Sequence, residues 1–220
     1  MKKITRKNLK QLSETMTILS EAEQRSCVGA EHYYDMYGNY LGTVGSSSEV
    51  RTMDYWAYDA LKNSSSATYM LHQYSTSLFD SGIYAQNNII NTIAYELGIY
   101  EQIYVYSFFY DDGTINRESG GATRYTSNNN WTDYNSYMAL NSASYTLENG
   151  NIYDIMCMLI HEKDHYDNYN PSTYDKTESE YLAYLSTINS EYFQYTSADF
   201  KEGVYSQYYY YDNLYYNQQY

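Results

Sequence analysis

Ile152-Tyr153-Asp154-Ile155-Met156-Cys157-Met158-Leu159-Ile160-His161-Glu162-Lys163-Asp164-His165 decides how the rest of the chain is read. Ile152, Ile155, Met156, Leu159 and Ile160 recur at spacings of three and four, the period of a helix with a buried face. Asn151 stands where an N-cap belongs. The stretch ends in His-Glu-x-x-His, which on a helix sets two imidazoles one turn apart on the same side, within reach of one ion. Glu162 then points to the open coordination position, where it can take a proton from a water acidified by the metal toward a pKa of about 7. Composition alone produces such a match on the order of 0.005 times in a chain of this make-up. Two of the four histidines fall inside it, so a metal site is the stronger reading than two solvated histidines.

A catalytic zinc takes three protein ligands, and no histidine follows His165. The third must then be a carboxylate from a second element. A further helix is expected near Thr177, with Leu182, Leu185 and Ile188 at spacing three, and it carries Glu180-Tyr181-Leu182-Ala183-Tyr184. Glu180 is the preferred ligand, with small Ala183 letting the two helices approach. Glu178 competes, two residues earlier and about 200° round the same helix. Residues 166–176, containing Pro171, are long enough to reverse the chain.

His161-Glu162-x-x-His165 followed by Glu180-x-x-Ala183 resembles the gluzincin-type zinc metallopeptidases. The resemblance covers roughly residues 135–190. It implies a Zn2+ site made of His161, His165 and Glu180, with Glu162 as general base on a peptide or protein substrate. It also implies a tyrosine or histidine at the oxyanion; Tyr166 and Tyr174 are the ones close in sequence. The implied architecture is zincin-like and α+β: a small mixed sheet packed on the active-site helix, and a second helix carrying the third ligand. The edge strand that pairs with an extended substrate is expected at Tyr137–Asn141.

Elsewhere the pattern is plainer. Tyr33 to Gly42 reads as a hairpin turning at Gly38-Asn39. Residues 54–80 are mixed, with helix as the guess. Ile89, Ile90, Ile93, Ala94 and Leu97 give a helix over 85–98, stopped by Gly98. Residues 102–110 read as a strand ended by Asp111-Asp112-Gly113, residues 118–132 as a Gly/Ser/Asn-rich loop, and Glu148–Asn151 as a turn. The Tyr/Gln/Asn-rich tail from Tyr205 is expected to fray or pair as an edge strand. His32 and His72 are isolated, Lys163 and Asp164 are expected to be solvated, and Cys157 reads as a small buried hydrophobe.

The chain has 220 residues and a net charge of −14, with 34 tyrosines and one proline. So acidic a chain repels phosphate backbones, which argues against a nucleic-acid partner. No apolar run of 18 residues exists, so no membrane span is expected. The charge is split: residues 1–30 carry +3 and residues 31–220 carry −17. The basic segment holds an amphipathic pattern (Leu9, Leu12, Met16, Leu19, Ala22) too interrupted for a Sec signal. Leu19-Ser20-Glu21-Ala22-Glu23-Gln24-Arg25-Ser26-Cys27-Val28-Gly29-Ala30 resembles the double-glycine leaders of bacteriocins and small exported proteins of Bacteroidetes-type bacteria. That likeness implies cleavage after Gly29-Ala30 by the peptidase of an ABC-type exporter, and a secreted single domain over 31–220. Ala30 departs from the usual glycine while keeping its small size. Two functions follow as expectations: an exported zinc metallopeptidase, or an exported bacteriocin-like or interaction protein with a Tyr-rich binding surface and a non-catalytic metal site.

Overall fold

A computed structural model describes residues 30–127, 134–169 and 174–217. The leader lies outside these residues except for Ala30, which stands half-buried ahead of the first strand. The elements run β1 (Glu31–Tyr34), β2 (Tyr40–Val44), β3 (Val50–Thr52), α1 (Tyr55–Leu61), α2 (Ala67–Tyr74), β4 (Thr76–Ser77), α3 (Ile83–Glu96), β5 (Ile103–Tyr106), β6 (Gly121–Ser127), β7 (Tyr134–Asn141), α4 (Tyr145–Asn149), α5 (Ile152–Asn168), α6 (Lys176–Asn189) and α7 (Ala198–Asn217). This is an α+β fold with two small mixed sheets, ordered β2-β1-β3-β4 and β5-β7-β6.

The hairpin forms as its turn residues predict. Asp35 accepts from the N–H groups of Tyr37 and Asn39 at 2.9 Å, and Gly38 adopts φ 85°. A side chain at Gly38 would also meet Asn88 O of α3 at 2.7 Å, so both backbone and packing require glycine. The chain between the sheets is stitched by Val50 N–H to Gly150 O (2.7 Å) and Ile152 N–H to Ser48 O (2.9 Å). These bonds anchor the start of α5 to the first sheet.

α5 is more deeply buried than one apolar face requires. Every residue from Ile152 to Leu159 is buried, among Ile89, Ile90 and Ile93 of α3, Ile103 and Val105 of β5, and Met138 and Leu140 of β7. Asn151 caps it, accepting from Tyr153 N–H at 2.9 Å. Ile160 is half-buried. The C-terminal half, with the histidines, emerges from the core.

Four expectations need correction. The strand expected at the edge, Tyr137–Asn141, is the C-terminal part of β7, which lies in the middle of its sheet. The edges are β5 and β6, the latter inside the stretch expected to be a loop. Gly120, just ahead of β6, and Gly121, its first residue, carry no side chain because α5 packs against them: a Cβ on Gly120 would meet Met158 Sδ at 2.7 Å, and one on Gly121 would meet Glu162 Oε1 at 2.6 Å. The turn at 148–151 is the end of α4, stopped by Gly150 in the left-handed region. The tail is a 20-residue helix, α7, with Val204, Tyr208, Tyr211 and Tyr215 at helical spacing.

The two edges of the second sheet differ. Along β5, Asn91 of α3 accepts from Ile103 N–H and donates to Ile103 O (3.1 and 2.9 Å). Asn87 does the same to Val105 (2.9 and 3.3 Å). The amides stand in for a neighbouring strand and close that edge. Along β6 the described residues give one such bond, from Ser119 Oγ to Gly121 O at 3.1 Å. Asn141 N–H donates to Gly120 O at 2.9 Å, and the antiparallel register then turns the main-chain groups of Gly121 and Thr123 away from β7, toward the open side.

Candidate metal centre

α6 starts at Asp175, which accepts from Thr177 N–H at 2.7 Å and Glu178 N–H at 3.3 Å. It packs back on α5 through Ala183, which is fully buried. This brings Glu180 opposite the histidines. His161 Nε2 and His165 Nε2 lie 3.2 Å apart, and each is 3.7 Å from Glu180 Oε2. Tetrahedral ligands of an ion held at about 2.0–2.1 Å sit about 3.4 Å from one another, so the triangle fits such an ion. Two imidazoles with one carboxylate are also a donor set that suits zinc. Glu178 is exposed and turned away, within 3.4 Å of Tyr215 Oη.

The imidazoles are held from behind. His165 Nδ1 lies 2.8 Å from Ser179 Oγ. His161 Nδ1 lies 3.5 Å from Thr187 Oγ1, whose proton goes to Ala183 O at 2.8 Å. Thr187 therefore acts as acceptor toward His161, which puts the ring hydrogen on Nδ1 and leaves Nε2 free as a ligand. Ser179 and Thr187 were not expected from the sequence. Their signal is position: Ser179, Ala183 and Thr187 recur every four residues, the face of α6 turned to α5.

Glu162 is 4% exposed. Thr123 Oγ1 of β6 bonds its Oε2 at 2.9 Å and its main-chain oxygen at 2.8 Å. Burial pushes its carboxyl above the ordinary glutamate value, against the pull of His161 and His165. Glu180 goes the other way. Burial raises it, but hydrogen bonds and charge from both histidines outweigh that and hold it at about 2. Burial lowers His165, while Glu180 and Glu162 carry it above the usual histidine value.

The centre lies in a cleft of about 860 Å³ between β6, α5, α6 and the first half of α7. Tyr174 and Tyr184 line it. The Tyr184 ring is 4.5 Å from that of His161, and burial drives its phenol well above the ordinary range. Tyr166 does not line it: the ring packs on the core under Lys163 Nζ, 5.3 Å from its centroid. Lys163 and Asp164 are engaged as well, Lys163 with Glu101 (3.2 Å) and Asp167, and Asp164 with Ser186 Oγ (2.6 Å). Cys157 is fully buried, as expected, and burial raises its thiol to about 12.

A second group, Glu31, Glu49 and His72, also brings three ligand atoms together. Its carboxylates are already committed: Tyr33 Oη donates to Glu31, His72 Nδ1 is 3.2 Å from Glu31, and Arg51 pairs with Glu49 at 2.9 Å. Isolated in sequence, His72 is thus partnered in the fold. No described helix is long and apolar enough to cross a membrane. Comparison of the chain with protein-family models, with curated proteins and with solved structures finds no match.

Proposed function

We propose that this chain is a zinc-dependent peptidase of zincin-like design, exported through an ABC-type transporter that removes residues 1–30. One observation carries the catalytic part: Nε2 of His161, Nε2 of His165 and Oε2 of Glu180 converge within 3.7 Å, beside a buried glutamate and the edge strand β6. When bound there, a zinc ion supplies a Lewis acid that polarises a carbonyl oxygen and acidifies water toward a pKa of about 7. The chain's own residues do the rest. An extended peptide pairs with the outward N–H of Gly121 and the outward main-chain groups of Thr123, which sets its scissile carbonyl over the three ligands. Glu162, oriented by Thr123, accepts the proton of the attacking water as its oxygen bonds to the carbonyl carbon. It then delivers that proton to the amine nitrogen as the carbon–nitrogen bond breaks, leaving a carboxylic acid and an amine; the acid's remaining proton passes to the amine, so the products part as carboxylate and ammonium. Tyr174 and Tyr184 are the phenols placed to donate to the developing oxyanion.

The reading is tested on purified protein by metal analysis and peptide hydrolysis. One zinc per chain is expected, with Glu162→Gln keeping the zinc and losing at least about a hundredfold in kcat. Absence of stoichiometric zinc, or a fully active variant, refutes it. The alternative is an exported binding protein with a structural metal, favoured by the exposed rings of Tyr205, Tyr209, Tyr210 and Tyr216 on α7; it predicts zinc without hydrolysis. Export with processing predicts secreted material beginning at Glu31, read by mass spectrometry.

A further inference from the structure

Beyond the metal centre the cleft continues along the buried half of α5, and its lining changes. Met158 lies one turn back from His161, and with Val204 and Phe200 of α7 it gives this arm an apolar wall. Asp154 lies two turns back, about 10 Å along the axis, and is 1% exposed. Its carboxylate accepts from Ser197 N–H (2.8 Å) and Ser197 Oγ (2.6 Å), so it contributes mainly its field. Two further carboxylates that line the cleft are exposed: Asp199 in the first turn of α7, and Glu118 ahead of β6.

Among the described residues no lysine or arginine lines this cleft. Arg117 pairs with Glu148, and Lys201 donates to Gln194 O at 2.8 Å, from where its charge acts on Asp154 without entering the lining. Nor is the arrangement a compact ion site. The two groups of ligand atoms that come within 4.8 Å of one another are His161/His165/Glu180 and Glu31/Glu49/His72, so Glu118, Asp154 and Asp199 stand too far apart to share an ion. An apolar wall leading to spread carboxylates fits a long side chain with an aliphatic stem and a charged head. An acidic side chain would be repelled, and an apolar one would desolvate carboxylates without pairing them.

We propose that this arm is a subsite for a lysine or arginine side chain of the peptide, its stem on Met158, Val204 and Phe200 and its head among Glu118, Asp154 and Asp199. The proposal rests on the peptidase reading and names its substrate class, basic peptides. Its test separates the two. Four fluorescein-labelled heptapeptides, alike except for a central lysine, arginine, norleucine or glutamate, are titrated by anisotropy into the metal-free full chain. Lysine and arginine peptides are expected to bind about tenfold more tightly than norleucine, with glutamate weakest. The Glu118→Gln/Asp199→Asn double variant brings the lysine-to-norleucine ratio below about threefold. Equal binding of lysine and norleucine, or a ratio untouched in the double variant, overturns the subsite. The same peptides are then offered to the zinc-loaded chain. Selective binding without hydrolysis of any peptide keeps the subsite and removes the peptidase reading. Hydrolysis with no preference for the basic residue does the reverse.

Discussion

Gly121 shows how closely the site is fitted at the scale of single residues. A methyl group there would meet Oε1, Cγ and Cδ of Glu162 at 2.6, 2.8 and 2.9 Å. Glu162 has no room to yield, because it is buried and Thr123 holds its carboxylate. Gly121→Ala is therefore expected to displace Glu162, the proposed general base, while leaving the three proposed ligands in place. A loss of about tenfold or more in kcat should follow, with zinc content preserved; unaltered kcat would show that the contact relaxes harmlessly. Asp154 tests burial through pH. Burial sets its carboxyl above the ordinary aspartate value, despite two hydrogen bonds from Ser197 that pull it down. An acid with a raised folded pKa contributes stability that is full below its unfolded value, about 3.9, and lost as pH rises through the folded one. In urea titrations of the metal-free chain, Asp154→Asn should flatten part of the decline in stability that sets in as pH rises past about 4. Superimposable pH profiles would contradict this.

At the scale of elements, α5 and the start of α6 are legible in the sequence because their signals are local: a cap at Asn151, a 3–4 apolar period and a motif of fixed spacing in α5, and Leu182, Leu185 and Ile188 at spacing three in α6. β6 is not, because its composition answers to a partner far along the chain. Gly120 and Gly121 are small so that Met158 and Glu162 can fit, and that constraint leaves no pattern within the strand itself. The tail was misread for the opposite reason. Tyrosine occupies every position of Tyr208–Tyr211, so the helical spacing hides inside a uniform background. In the fold those rings are selective: Tyr181 of α6 stacks on Tyr208 (5.6 Å) and Tyr215 (5.1 Å), and Tyr184 on Tyr211 (6.0 Å). Because Tyr181 adjoins Glu180, the aromatic packing of α7 buttresses the proposed third ligand. Tyr181→Ala removes both stacks and is expected to cost about 2 kcal/mol of stability, together with a several-fold weaker zinc affinity. Competition against a chromophoric chelator measures the second effect, and an affinity equal to the parent's would detach α7 from the metal centre.

Across the whole molecule the candidate metal centre lies where two layers of different character meet. α5 is rooted in the main core, whereas α6 and α7 lie outside it, held by Ala183, Thr187, a small cluster of Cys157, Phe193 and Val204, and the tyrosine stacks. Exposed backbone bonds and few buried side chains give such a layer a lower opening free energy than the core. An ion bound by His161 and His165 on one layer and Glu180 on the other closes the seam between them. Ligand linkage stabilises the folded chain by about 2.7 kcal/mol at a zinc concentration a hundred times Kd. Hydrogen exchange should locate that gain. Zinc is expected to slow exchange in α6 and α7, where opening breaks the seam, and to leave Ile152–Leu159 changed only as far as global unfolding is slowed. A chelator should reverse the effect, and Glu180→Gln should abolish most of it, since one side of the seam then loses its charged ligand. Uniform protection over all elements would mean that the outer layer opens only with the core, and that the ion stabilises the fold without joining its parts.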